Sequence, residues 1–219
     1  MFVKKTLIVL PLLALLAGCG DDKNNNPLEN IAEAAKDKDL QGSFESECSL
    51  KPLGALVDGL LTGFEAAARS ARVQYRFEGA NVTRTTVLFT TADCGAEALR
   101  FEERGEFDLN PDAQKTAENA MPIDMKSRTL VVTAVSADGA EIANGRALCG
   151  AADWAAGQER DVTAQAADTA CYGADVPRND NNIYRIDGGN QLLLGQSSTE
   201  ETGAGERPTT LENVTYTSH

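Results

Sequence analysis

Histidine is the side chain most acid–base and metal sites lean on, and here it occurs once, at His219, the last residue. Ser-His-Asp and Cys-His catalysis and His-based zinc sites therefore have no histidine within the body of the chain. No Gly-x-Ser-x-Gly, phosphate-loop or dinucleotide fingerprint is present either. Carboxylates are the remaining reactive groups. Glu103, with Glu102 and Glu106 beside it, is the strongest candidate for a paired-acid hydrolase, because strand alternation points it inward with Leu99, Phe101 and Phe107. Against that stands the commoner use of such a residue, as a solvated acid at a barrel mouth or a partner of Arg100 or Arg104. Asp175, Asn179, Asp180, Asn181, Asn182 and Asp187 supply oxygens of the kind calcium takes, but without EF-hand spacing or its closing Glu. Turn formation before a hairpin explains them more simply. The reading is therefore of a non-enzymatic chain, with no catalytic residue, no metal site and no cofactor.

Cysteine carries more information. Lys4 and Lys5 precede an apolar run at residues 7–16, which ends in Leu16-Ala17-Gly18-Cys19. The run contains Pro11 and is shorter than the ~20 apolar residues that a membrane-spanning helix needs. Its layout follows secretory-signal logic. The last four residues resemble the lipobox of bacterial lipoproteins. That resemblance implies acylation of Cys19, removal of residues 1–18 and attachment to the cell envelope through N-terminal acyl chains. Gly20 follows the cysteine where an Asp would favour inner-membrane retention, so the resemblance leans toward the outer membrane.

Of the five cysteines, assigning Cys19 to lipid leaves Cys48, Cys94, Cys149 and Cys171. An even remainder in an exported chain suggests two disulfides among three possible connectivities. Cys48–Cys94 and Cys149–Cys171 are favoured, since each ties neighbouring segments of a meandering chain.

The net charge of −13 becomes more acidic once Lys4 and Lys5 are removed. It argues against nucleic acid and against adhesion to anionic lipid. Residues 19–39 read as a lipidated, flexible tether, with a short helix expected over 31–38, and residues 40–219 as a single β-rich domain. An amphipathic helix is expected over residues 53–68, weakened by Gly54, Gly59 and Gly63.

From Arg72 the apolar period becomes two. Strands are expected around 73–77, 83–91, 99–109, 129–136, 182–186, 191–194 and 211–217, with short ones near Trp154 and Val162. Glu103 and Gly105 interrupt the apolar face of the third, suggesting a bulge. Asp138-Gly139 reads as a hairpin turn to Glu141-Ile142-Ala143, and Asp187-Gly188-Gly189-Asn190 as another.

About eight antiparallel strands without alternating helices indicate a barrel or a sandwich, with one or two short helices. Gly42-x-Phe44, Cys48, Tyr75-x-Phe77 and Asp93-Cys94 give the domain a distant resemblance to lipocalin-like barrels, although Phe44 stands where such families carry Trp. The resemblance implies an interior that takes a small apolar molecule. An envelope-protein partner, or a structural or assembly role in the envelope, is the reading from another class.

Overall fold

A computed structural model of the chain describes residues 37–49, 63–64, 67–110, 112–195 and 207–219. The lipobox and most of both helices expected before residue 70 lie outside the described residues. Nine strands are described: β1 (Gly42–Ser46), β2 (Ser70–Glu78), β3 (Asn81–Phe89), β4 (Glu97–Leu109), β5 (Met121–Ala134), β6 (Gln158–Asp161), β7 (Arg178–Asp187), β8 (Gln191–Gly195) and β9 (Leu211–Ser218). Their order is β4-β3-β2-β1-β9-β8-β7-β5, and β4 pairs back onto β5. All pairings are antiparallel, so eight strands close into a barrel rather than a sandwich. Closure leaves those strands no long free edge, the standing hazard of an all-β domain.

The two-residue alternation seen in sequence decides which face turns inward. Ala71, Val73, Tyr75 and Phe77 of β2 are buried and pair with Leu88, Thr86, Arg84 and Val82 of β3. Those in turn face Leu99, Phe101, Glu103 and Gly105 of β4. The outward positions are charged. Arg100 pairs with Glu97, Arg104 with Glu102 and Glu159, Arg128 with Glu106, and Lys126 with Asp108. A membrane barrel needs an apolar outer band ~25 Å tall, so this outer face is built for water.

The expected interruption at Gly105 is a bulge. Arg104 pairs with Thr129 but Gly105 with Ser127, leaving Arg128 as the extra residue. A Cβ at Gly105 would fall 1.9 Å from the Lys126 carbonyl oxygen, so the close approach requires glycine. The bulge bends the β4–β5 ribbon two residues from Glu103.

Apolar layers fill both ends. At one, Phe77 meets Phe107 edge-on at 5.1 Å and Phe44 at 6.3 Å. At the other, Phe101 contacts Tyr172 and Phe64 at centroid distances of 5.8 and 6.4 Å. That second end is covered by residues 137–176. Here the hairpin expected at Asp138-Gly139 is corrected: the segment is a helix, α1 (Ala137–Gly145). Ser136 caps it by accepting from the Gly139 N–H at 3.2 Å, which meets an otherwise orphaned donor. Gly139 serves packing rather than turning, because a Cβ there would lie 1.9 Å from the Ala98 carbonyl oxygen.

The strands expected near Trp154 and Val162 reduce to β6 between them, with short 3-10 turns at Leu148–Gly150 and Thr163–Gln165. Trp154 is anchored by Asn144, which donates to its carbonyl and accepts from its N–H. The disulfides are Cys48–Cys94 and Cys149–Cys171, the favoured pairs. Asp37, assigned to the tether, accepts from the Tyr184 hydroxyl at 2.5 Å, and Leu40 is fully buried.

Candidate functional site: a charged belt inside the barrel

Between the two apolar layers, the inward positions of five strands turn polar. β2 contributes Tyr75, β3 Arg84, β4 Glu103, β5 Ser127, and β7 Arg178 and Asp180; register brings them level, since Tyr75 pairs with Arg84, Arg84 with Glu103, and Ser127 with Arg178. The Cys149–Cys171 loop adds Tyr172, whose position next to the disulfide fixes where its ring enters.

Glu103 is the hub, with a side chain only 3% exposed. Its Oε1 accepts from Arg178 Nη2 at 2.9 Å and from the Tyr172 hydroxyl, and Arg84 Nη1 lies 3.7 Å away. Its Oε2 accepts from Ser127 Oγ at 2.7 Å. Burial alone would raise the carboxyl pKa. Arg178 and Arg84, helped by the Ser127 and Tyr172 hydrogen bonds, outweigh burial and hold Glu103 below its ordinary value. These contacts favour its charged form.

The neighbours shift in answer. Burial, reinforced by the Glu103 charge, puts Tyr172 well above the ordinary phenol range. Burial pushes Tyr75 up to about 12, opposed by the Arg84 charge, whose guanidinium lies 5.9 Å from the ring centre. Tyr216 meets Tyr75 edge-on at 5.2 Å. Asp180 is raised, chiefly by burial, in spite of both arginines. Its carboxylate lies within ion-pair distance of neither; its recorded contact is a 3.5 Å hydrogen bond from Asn182.

The expected surroundings of Glu103 need correcting in part. It does point inward, but Arg100 and Arg104 point outward to other acids, as do Glu102 and Glu106, so no second glutamate joins it. The Asp/Asn group is scattered. Asn182 turns inward to accept from the Gly195 N–H, Asp187 grips Arg185, and Asp175, Asn179 and His219 are exposed. Among the described residues no three His, Cys, Asp or Glu side chains gather as a metal site would require.

Arg84, Arg178 and Tyr172 were not singled out from the sequence, and Tyr75 entered only through the Tyr75-x-Phe77 pattern. A signal for the first was there: Arg84 shares the inward parity of Val82, Thr86 and Leu88, one strand before an acid of the same parity.

The apolar layers retain almost no accessible surface: Phe77, Phe101, Phe107, Leu99 and Leu130 are each at most 1% exposed. In the belt, by contrast, the Arg84 and Arg178 side chains keep 16% and 26%, and Ser127 and Asp180 are half-buried. Among these inward-facing side chains, accessible surface is thus kept by the charged and polar ones. The chain matches no known protein family, and no curated protein is similar to it in sequence.

Proposed function

We propose that this chain is a lipid-anchored lipoprotein of the bacterial cell envelope, attached through Cys19 with the outer membrane favoured, whose barrel is a non-enzymatic binding domain. The observation that carries the binding reading is the belt, where inward-facing arginines keep accessible surface among side chains that are otherwise buried. Small-molecule sites pair apolar walls with a few placed polar groups, and this arrangement has both. It favours a compact polar ligand over a long apolar one, because the apolar layers are shut. A general acid needs a pKa near the working pH, and Glu103 is held below its ordinary value by Arg178 and Arg84, which counts against it as the acid of a carboxylate hydrolase.

Mass spectrometry of material released from natively purified protein tests the binding reading. One bound compound in fixed proportion is expected; protein that repeatedly yields none would overturn it. The anchor is tested separately. Cys19→Ser should move the protein from the membrane fraction to the soluble fraction, since the acyl chains on that residue are the proposed anchor and each of their buried methylenes contributes about 0.8 kcal/mol. Unchanged membrane partition would refute acylation at that position.

A role in envelope assembly is the second reading, and β6 favours it. This four-residue strand pairs with β5 alone among the described strands, leaving an edge that could accept a partner's strand.

A further inference from the structure

The binding reading says that something enters the belt; the belt's own donors say more about what. Arginine carries five N–H donors in a rigid fork and no acceptor. Arg178 spends Nη2 on Glu103, and Arg84 meets the same carboxylate only at 3.7 Å. The Nε of each is buried and has no hydrogen-bond acceptor. An orphaned buried donor costs free energy comparable to a lost hydrogen bond, and here two occur on cations that flank a single carboxylate oxygen. Two guanidinium charges face one fixed carboxylate. Asp180, the other acid of this level, is within ion-pair distance of neither arginine. The belt thus holds unspent donors and positive charge in surplus over Glu103, on two arginines that keep accessible surface.

We infer that Arg84 and Arg178 form an oxyanion site inside the barrel, which takes the carboxylate or phosphate group of a small, compact molecule. Planar forks suit such groups, because a guanidinium can give a carboxylate or phosphate two parallel hydrogen bonds. Glu103 sets the selectivity. It holds the two forks in place when the site is empty and competes with the incoming anion, so only a ligand that reaches both arginines gains enough to bind. Leu130 pairs with Glu103 and Met125 with Asp180, so buried apolar side chains stand beside the charges, which suits a compact molecule better than a long chain attached to the anion.

This inference rests on the binding reading, and the test separates the two. The side-chain Nε–H resonances of Arg84 and Arg178 are followed by NMR in the full-length protein during titration with acetate, inorganic phosphate and, as the neutral isostere of acetate, acetamide. A saturable shift at both resonances is expected with acetate or phosphate and none with acetamide, and the better of the two anions identifies the class. Arg178→Met should weaken that binding at least about tenfold, the scale of a lost charge-assisted hydrogen bond. The wild-type resonances report even if the variant does not fold. Saturation by acetamide, or a neutral compound released from the native protein with no response to either anion, would overturn the oxyanion site and leave the binding reading standing. No saturable response to any probe, together with no compound released from native protein, would overturn both.

Discussion

Glu103 is charged, buried and surrounded, and its worth can be measured by removing the charge alone. Glu103→Gln leaves Arg84 and Arg178 without their counter-charge and should cost about 3–5 kcal/mol, the usual penalty for breaking a buried pair from one side. Arg104→Ala, which removes only surface pairs, should cost no more than about 1 kcal/mol; urea unfolding of the two variants checks both figures. The folded Glu103 pKa lies below its unfolded value, so its contribution is complete above the unfolded pKa and disappears as pH falls through the folded one. The Gln variant should accordingly lose less stability than the parent on acidification through and below pH 4.5. Asp180, raised by burial, acts with the opposite sign and gains as the pH falls. Tyr75 acts on the alkaline side, together with the buried phenols of Tyr172 and Tyr216, which are shifted further up. Its folded pKa rises from 10.0 to about 12, so stability held below pH 10 should be lost as pH climbs through 12. Absorbance of phenolate against pH, beside an unfolded control, would detect the delay; Tyr75 titrating at 10 in folded protein would contradict it.

At the level of elements, alternation made most strands legible. β2, β4, β7, β8 and β9 stand close to where their period-two patterns put them, because a face that must be buried leaves its mark at every second residue. Glu103 could be placed inward for the same reason. Its partners could not, since Arg178 and Tyr172 lie 75 and 69 residues away and register across a closed barrel is not written in any one strand. Asp138-Gly139 misled for a definite cause. Turn chemistry and a tight helix–strand contact both select glycine, and only Ser136 as a cap in front of an alanine-rich run argued for a helix. That reading of Gly139 makes a prediction: Gly139→Ala should destabilise by at least about 1–3 kcal/mol, the cost of overpacking, whereas a mere turn glycine replaced on a surface would cost less. Denaturant midpoints for Gly139→Ala and for Gly145→Ala, where a Cβ meets nothing within 4 Å, give the comparison. Gly145→Ala should be neutral or stabilising.

For the molecule as a whole, two inferences drawn from different cysteines converge. Cys19 lies in a stretch that resembles a lipobox, on which the proposed export rests, and the other four form two bridges of the kind an exported chain would carry. Charge agrees with both, because a water-facing barrel with an acidic surface has no affinity of its own for anionic lipid. The second bridge has a consequence for timing. Cys171 is the immediate neighbour of Tyr172, and Tyr172 supplies one of the hydrogen bonds that seat Glu103. A copy of the chain kept in a thiol-rich cytosol would lack the clasp that holds this tyrosine in place. Its interior would stay unfinished until an oxidant closed the loop.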